Sequence, residues 1–266
     1  MILHELFTLF ATTAISVLVA VILLWLISIP LKDVSIIDMV FPALMAGSVF
    51  VAWTHSGVQG VIPNLILALI MIWALRMVIY LVWRNLGNGE DTRYTRLRSW
   101  VPEGLPFYWL SLRQVFLLQG AIVWVATLPQ QIAMMNGAEA SVGVWAIAGL
   151  TLWCVGFIFE SVGDYQLSRF KANPDNQGKV MDIGLWRYTR HPNYFGELCQ
   201  WWGLFFIALQ APWAWCGIIG PIAYSWLVIN VTGQATLDKK LAREKSAYGD
   251  YMLRTSGLIP LPPRHK

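Results

Sequence analysis

Long apolar runs dominate this sequence and limit the folds that it can adopt. They cover residues 8–30, 37–54, 61–83, 114–134, 141–160 and 199–232. A helix needs about 20 residues to cross the hydrocarbon core of a bilayer, and backbone groups in lipid must hydrogen-bond internally. Charged residues make up only 13% of the chain, against roughly 25% in soluble domains. The sequence therefore predicts an all-α integral membrane protein. Because the last run is long enough for two short crossings, about seven transmembrane helices are expected.

Basic residues are concentrated in the polar segments 84–113, 169–190 and 239–266. With seven crossings and Lys32 in the first short loop, all three segments face the same side of the membrane. The loops on the opposite side, 54–60 and 136–141, contain no Lys or Arg. Because basic loops stay in the cytoplasm, we expect the N-terminus outside and the C-terminus in the cytoplasm. Basic residues spread over three juxtamembrane segments fit an anionic cofactor or lipid headgroups, and we expect no nucleic-acid partner.

Nothing in the sequence marks a repeat or a separate soluble domain, so residues 1–266 are predicted to form a single membrane domain. Residues 1–83 hold the first three spans and are expected to form a lipid-side cavity for the substrate. Residues 84–266 hold spans four to seven and the predicted cytoplasmic cofactor-binding segments 84–113, 164–197 and 234–266. Three cysteines without CxxC spacing predict neither a disulfide framework nor a metal site.

The first polar segment, RNLGNGEDTRY at 84–94, combines two glycines with arginines and acids. Glycine lets a backbone approach a ligand closely, and the arginine fork suits phosphate oxygens. A solvated loop with orienting charges is the alternative interpretation. The candidate cofactor-binding residues here are Arg84, Asn85, Asp91, Arg93 and Tyr94.

The densest polar cluster runs from Arg187 to Glu197, directly before an apolar run. Pro192 ends any preceding helix, and a new helix that starts there offers unpaired N–H groups that suit a pyrophosphate. Upstream, an acid near the end of the fifth span can accept ribose hydroxyls, and two lysines flank the turn at 173–178. A surface loop is the alternative. The candidate cofactor-binding residues are Asp164, Lys171, Lys179, Arg187, Tyr188, Arg190, His191, Asn193, Tyr194 and Glu197.

The tail from residue 237 is polar and amphipathic. Lys240 is a candidate phosphate ligand, and Tyr248 and Tyr251 are candidates for stacking on a cofactor ring. An interfacial helix whose basic side chains reach the membrane surface is the alternative interpretation.

Asp38 is an acid at the edge of the second span, and ionisable groups at membrane depth are usually functional or paired. If it is buried without a full counter-ion, it stays a neutral carboxylic acid that can hydrogen-bond a substrate carbonyl. Tyr80 and Gln119 are the other cavity groups that we predict to be catalytic. A helix-capping role for Asp38 is the alternative.

The segments 84–94, 162–197 and 237–264 resemble the bacterial branch of the steroid 5-alpha-reductase family, whose architecture is shared with isoprenylcysteine carboxyl methyltransferases. The resemblance implies a membrane-embedded, NADPH-dependent enzyme, with the bacterial inner membrane as its location. By position it implies that Asp164, Lys179, Asn193 and Glu197 bind the cofactor. Asp38 and Trp73 stand roughly where that family has a glutamate and a tyrosine that polarise the substrate.

The resemblance and the polar clusters together predict an NADPH-dependent reductase of a carbon–carbon double bond in a hydrophobic enone taken from the bilayer. The alternative is an S-adenosylmethionine-dependent membrane methyltransferase, because RHPNYFG at 190–196 is also similar to the RHPxYxG stretch of isoprenylcysteine and phospholipid methyltransferases. A third interpretation is a non-enzymatic lipid-binding or assembly protein.

Overall fold

The computed structural model describes residues 2–231 and 234–264. These residues form helices and no β-strand, apart from an isolated bridge between Thr189 and Ser256. The prediction of an all-α protein is confirmed. The α-helices of the described ranges are α1 (Ile2–Leu31), α2 (Ile36–Ser56), α3 (Val61–Asn85), α4 (Thr92–Arg98), α5 (Leu105–Ser111), α6 (Leu118–Ala126), α7 (Leu128–Asn136), α8 (Val144–Ala172), α9 (Pro192–Ala208), α10 (Ile219–Trp226), α11 (Gln234–Glu244) and α12 (Ala247–Arg254).

Six helical stretches in the described part of the chain are long and apolar enough to cross a membrane. They are His4–Leu31, Ile36–Ser56, Val61–Asn85, Leu105–Ala126, Val144–Ala172 and Ala214–Val231. The chain is therefore built as a multi-pass integral membrane protein. The further predicted crossing corresponds to α9, whose 17 residues fall short of the about 20 that a perpendicular span needs. The count of about seven and the orientation stay predictions.

The stretch that the sequence predicted as one span, 114–134, is divided in the structure. A π-helical turn, Leu112–Leu117, joins α5 to α6, and this continuous helix ends at Ala126. A separate helix, α7, begins at Leu128. Pro129 explains the break, because proline lacks the backbone N–H that a continuing helix needs and is tolerated only in the first turn.

The chain divides into two compact units. Unit 1 comprises Met1–Gly143 with Ala208–Gly220, and unit 2 comprises Val144–Ile207 with Pro221–Lys266. The helices α1 to α7 thus belong to unit 1, whereas α8, α9, α11, α12 and most of α10 belong to unit 2. The organisation as a single membrane domain stays a prediction.

Unit 1 is held together by apolar packing of α2 on α3 and by a buried hydrogen-bond network. The Thr13 hydroxyl of α1 donates to Gln131 Oε1 of α7 at 2.7 Å, and Gln131 Nε2 donates to Thr127 Oγ1 at 2.8 Å. Ser48 of α2 lies 3.2 Å from the Thr127 hydroxyl. Hydrogen bonds between helices are a main source of specificity within a membrane, so this network fixes α1, α2 and α7 against one another.

Unit 2 is organised by a close contact between α8 and α9. Glycines stand seven residues apart on α8, at Gly149 and Gly156, and also on α9, at Gly196 and Gly203. A Cβ atom at Gly196 would lie 2.4 Å from the Gly156 carbonyl oxygen, and one at Gly203 would lie 2.6 Å from the Gly149 carbonyl oxygen. Small residues allow helix backbones to approach closely in membranes. This contact brings the polar side chains of the two helices within hydrogen-bonding distance.

Candidate functional site

Asp38 collects three donors at the start of α2 in unit 1. Its Oδ2 atom forms an ion pair with Arg93 Nη2 of α4 at 2.7 Å. Its Oδ1 atom accepts hydrogen bonds from the Tyr94 hydroxyl at 2.8 Å and from Gln119 Nε2 of α6 at 3.2 Å. Gln119 Nε2 also lies 3.2 Å from the Tyr94 oxygen. We call these four residues the Asp38 cluster.

Acidic residues before α4 fix this short helix beside the start of α2. Asp91 is the N-cap of α4, and its Oδ1 accepts hydrogen bonds from Arg93 N at 2.8 Å and from Arg93 Nε at 3.0 Å. Glu90 accepts two hydrogen bonds from Arg98, at 2.9 and 3.1 Å, and one from the backbone N–H of Val34 at 3.0 Å. Because Val34 lies two residues before α2, Glu90 ties α4 to the helix that carries Asp38.

The surroundings of the Asp38 cluster determine which of its groups donate protons. Burial raises the pKa of the Tyr94 hydroxyl, and the negative charge of Asp38 raises it further. Burial alone lowers the pKa of Arg93, but hydrogen bonds to Asp91 and the charge of Asp38 raise it above its ordinary value. At neutral pH, Tyr94 is therefore a protonated donor and Arg93 is a cation.

The structure brings two of the predicted catalytic residues, Asp38 and Gln119, into one cluster. The condition stated for Asp38, burial without a full counter-ion, is not met, because Arg93 Nη2 lies 2.7 Å from its Oδ2 atom. The tyrosine beside Asp38 is Tyr94, which the sequence analysis assigned to the cofactor. The ring of Tyr80 lies instead 5.3 Å from the Arg76 guanidinium and 5.4 Å from that of Arg84.

The remaining predicted residues of the first polar segment lie near the C-terminal end of α3. Arg84 Nε donates to Asn85 Oδ1 at 3.0 Å, and the Arg84 carbonyl accepts a hydrogen bond from Asn88 Nδ2 at 2.7 Å. Gly87 and Gly89 have φ angles of 85° and 74°, a region that favours glycine. The two glycines thus build the turn between α3 and α4.

Asp238 of α11 is the centre of a buried network in unit 2. Its Oδ2 atom accepts a hydrogen bond from Arg190 Nη2 at 2.8 Å, and its Oδ1 atom accepts one from the Tyr248 hydroxyl at 2.6 Å. His191 Nε2 lies 2.9 Å from the same Oδ1 atom. All four side chains are buried. We call them the Asp238 network.

Backbone hydrogen bonds join the segment after α12 to the segment before α9. The N–H of Arg190 donates to the Ser256 carbonyl at 2.9 Å, and the N–H of Leu261 donates to the Tyr188 carbonyl at 3.0 Å. The Thr189 hydroxyl donates to the Leu258 carbonyl at 2.8 Å. Because these bonds pair residues about 65 to 75 positions apart in the chain, the residues before α9 and those after α12 form one structural element.

The hydrogen bonds of the Asp238 network shift the pKa values of its members. Burial alone raises the pKa of Asp238, but hydrogen bonds from His191, Arg190 and Tyr248 lower it well below its ordinary value. Burial raises the pKa of Tyr248, and its hydrogen bond to Asp238 raises it further. Asp238 is therefore a carboxylate and Tyr248 a neutral phenol over the physiological pH range.

A cavity of about 390 Å³ lies in unit 2 beside the Asp238 network, within the usual range of about 300–1,000 Å³ for small-molecule sites. Its apolar side includes Trp186, Leu237 and Leu241. Polar and basic groups form the rest of the wall. Among the predicted cofactor-binding residues, those that line the cavity are Lys171, Arg190, His191, Tyr248 and Tyr251.

Polar residues of α8 and α9 form a second group of predicted positions. Asn193 Nδ2 donates to Asp164 Oδ1 at 3.2 Å. Glu197 Oε1 accepts a hydrogen bond from the Tyr224 hydroxyl of α10 at 2.5 Å. The structure thus brings Asp164 and Asn193 together, and their binding of a cofactor stays a prediction. Sequence analysis did not assign a role to Tyr224.

The other predicted residues differ in their exposure and contacts. The guanidinium of Arg190, a predicted cofactor-binding residue, is buried and paired with Asp238. Arg187 and Tyr188 are exposed. Lys240 is exposed and lies 3.9 Å from Glu244, outside the residues that line the cavity. The Tyr194 ring stacks on His191 with centroids 5.3 Å apart.

Two functional candidates were missed by the sequence analysis, Asp238 and Lys245. Lys245 lines the cavity, and its Nζ atom donates to the Lys179 carbonyl at 2.5 Å. Asp238 is an acid within a strongly basic tail, and that contrast is the signal that could have identified it. Lys245 gives no such signal, because it is one of several lysines in the tail.

Comparisons with known proteins give similarity of two kinds. The chain is 24% identical to an uncharacterized protein of Schizosaccharomyces pombe over 84% of the chain and 71% of that protein. It is 30% identical to the 3-oxo-5-alpha-steroid 4-dehydrogenase 1 of Mus musculus and of Rattus norvegicus, over 27% of the chain and 27% of each relative. It is also 36% identical to a probable O-methyltransferase of Ustilaginoidea virens, over 22% of the chain and 20% of that protein.

No solved structure matches the chain. The short similarities extend to both a steroid dehydrogenase and a methyltransferase, so they support a common architecture and leave the reaction open. The match that covers most of the molecule is to a family: residues 24–255 match the family described as "Protein of unknown function (DUF1295)", and the chain belongs to that family.

Proposed function

We propose that the protein is a membrane reductase that binds NADPH in unit 2 and reduces a carbon–carbon double bond of a hydrophobic enone. The observation that carries this proposal is the distribution of charge around the cavity of about 390 Å³. The partial similarity to two steroid dehydrogenases supports the same reaction class. The bacterial inner membrane remains our expectation for its location.

Two lysines, Lys171 and Lys245, line this cavity. Lys245 Nζ donates to the backbone carbonyl of Lys179. The one acid of the network at the cavity wall, Asp238, is already neutralised by Arg190. The described residues that line the cavity thus include two lysines and no Asp or Glu, and this excess of basic groups suits the phosphate groups of NADPH. S-adenosylmethionine has no phosphate, and its single carboxylate is accompanied by two positive charges, so it gains less from these lysines than NADPH does.

A buried polar atom that lacks a partner also fits a bound nucleotide. His191 lines the cavity and is only 1% exposed, and its Nδ1 atom makes no hydrogen bond with any described residue. Leaving such an atom unsatisfied costs about 1–3 kcal/mol. A hydrogen-bonding group of the ligand would remove that cost. Tyr248 and Tyr251 add aromatic surface to the same wall.

The nicotinamide, when bound, supplies a hydride to the β-carbon of the enone. The protein must then hold the substrate carbonyl and stabilise the negative charge that develops on its oxygen. We assign this role to the Asp38 cluster. In this proposal the substrate carbonyl replaces Asp38 Oδ1 as the acceptor of the single Tyr94 hydroxyl proton, while Arg93 stays paired with Asp38 and the Gln119 amide still donates to the Tyr94 oxygen. Without substrate, Asp38 orients Tyr94, and Arg93 fixes the position of the Asp38 side chain.

The second candidate function is methyl transfer from S-adenosylmethionine, which the similarity to a probable O-methyltransferase favours. The two candidates differ in the ligand that unit 2 binds. The test is a thermal unfolding series of the detergent-purified protein with NADPH, NADH and S-adenosylmethionine at equal concentrations. A ligand at 100 times its dissociation constant stabilises by about 2.7 kcal/mol, so the true cofactor gives the largest shift.

The matched variants for this test are Lys245→Gln and Lys239→Gln. Both remove one positive charge from α11 or from the residue directly after it, but Lys239 does not line the cavity. We expect Lys245→Gln to weaken NADPH binding about tenfold or more, as the loss of a charge-assisted hydrogen bond predicts, and Lys239→Gln to leave it unchanged. A shift with S-adenosylmethionine and none with NADPH would reverse the choice of reaction.

A further inference from the structure

Unit 2 contains a second cleft, of about 580 Å³, which the proposed function does not use. It shares Phe170, Asn173, Asn176 and Met181 with the cavity described above. The rest of its wall includes the C-terminal turns of α8, from Tyr165 to Ala172, and the segment that ends at Gly184.

The cleft lies at the depth of lipid headgroups. Val144 and Trp145 begin α8 and are 73% and 52% exposed, as expected for an anchor at the membrane surface. At 1.5 Å per residue, Arg169 is about 38 Å along the helix from Val144. The hydrocarbon core is about 30 Å thick, and the bilayer with its headgroups is about 40–45 Å thick. Arg169 thus lies beyond the hydrocarbon and within the headgroup layer.

The side chains of the cleft combine one cation with apolar surface. Arg169 is the charged side chain among the lining residues, and it forms no hydrogen bond or ion pair with any residue that the structure describes. Tyr165 and Ile183 are 63% and 62% exposed in the same wall. A soluble anion would contact Arg169 and leave this apolar surface uncovered. A lipid can contact both, with its headgroup on the arginine and an acyl chain on the apolar side chains.

We propose that this cleft binds an anionic membrane phospholipid, with the headgroup phosphate against Arg169 and an acyl chain along Tyr165 and Ile183. Basic groups at the membrane surface attract anionic headgroups, and the arginine fork matches a phosphate in two-point contact. The lipid covers apolar surface that faces the bilayer edge, and it neutralises an arginine that has no acidic partner among the described residues.

The test is native mass spectrometry of the protein in neutral detergent, titrated with phosphatidylglycerol or with phosphatidylcholine of the same acyl chains. We expect the wild-type protein to retain more phosphatidylglycerol than phosphatidylcholine. Arg169→Gln reduces this preference about tenfold, the loss expected for one charge-assisted contact. Arg169→Lys retains most of it, because the charge remains. Arg243→Gln, the same change at an exposed arginine outside the cleft, retains it fully.

Several results would overturn the proposal. If the wild-type protein retains the two lipids equally, it has no preference for the anionic lipid. If Arg243→Gln loses as much of the preference as Arg169→Gln, the preference comes from general surface charge and not from the cleft. Displacement of phosphatidylglycerol by millimolar inorganic phosphate would show a site for free anions. Unfolding temperatures measured without any ligand show whether each variant is folded. No NADPH is present in the lipid titration, so its result does not depend on NADPH binding.

Discussion

Replacing Asp238 by Asn tests whether its buried network holds the cavity wall of unit 2 together. The side chains of Asp238 and Arg190 are 7% and 10% exposed, so the variant leaves a nearly buried guanidinium without its counter-ion. Removing one partner of a buried ion pair typically costs about 3–5 kcal/mol. Asn keeps the shape and one acceptor, so we expect the lower end, about 3 kcal/mol. For a chain of this size that loss lowers the unfolding temperature by at least about 6 °C.

The effect depends on pH in a defined direction. Because the pKa of Asp238 lies well below its ordinary value in the folded protein, the carboxylate contributes its full stability above about pH 4. This contribution is lost as the pH falls through the lowered pKa. The wild-type protein should therefore exceed Asp238→Asn in stability from pH 8 down to about pH 5, and the difference should shrink below about pH 4.

The assay is thermal unfolding in detergent across this pH range, followed by tryptophan fluorescence. Asp175→Asn is the control, because it removes the same charge from a residue that is exposed in the short turn after α8. If the two variants unfold within about 2 °C of each other at pH 7, or if the difference grows on acidification, the ion pair does not stabilise unit 2 in the way described.

Further variants test other parts of the structure. Tyr94→Phe removes the donor of the Asp38 cluster, and we expect enone turnover to fall about 100-fold with the NADPH thermal shift retained; unchanged turnover would exclude the assigned role. Gly196→Ala places a Cβ 2.4 Å from a carbonyl of α8, and overpacking of this kind costs about 1–3 kcal/mol, measured as a lower unfolding temperature. Gly47→Ala on α2 has open space and should be neutral or stabilising, so equal losses in the two variants would contradict the close contact. Thr127→Val should cost about 0.6–1.7 kcal/mol, as measured for hydrogen bonds between membrane helices; no change in the unfolding temperature would show that the network of unit 1 adds no stability.

The first three helices follow closely from the sequence because an apolar run is a local property. The predicted spans 8–30, 37–54 and 61–83 differ by only a few residues from α1, α2 and α3. The prediction of a single span at 114–134 is wrong for a reason that is also local, because Pro129, which breaks the helix, can be read directly from the sequence. The hydropathy of the run alone does not reveal this break.

The contacts of the candidate sites are harder to predict because they join distant parts of the chain. Tyr94 and Asp38 are 56 residues apart, and Arg190 and Asp238 are 48 apart. The sequence identifies these polar residues as candidates for a site, but it does not reveal which side chains contact them. A charged residue in a polar segment can contact a ligand or a second side chain, and only the packing of the helices decides between the two.

The long sequence separation within the Asp238 network has a consequence for biosynthesis. Arg190 leaves the ribosome 48 residues before Asp238, so it lacks this counter-ion while the residues between them are being synthesised. Positive charges that flank a nascent membrane helix hold that end of the helix on the cytoplasmic side. Arg190 can thus influence the orientation of the nascent helix first and form its ion pair with Asp238 later, when α11 has been synthesised. The same side chain can then contribute to membrane orientation during synthesis and to the stability of the folded protein afterwards.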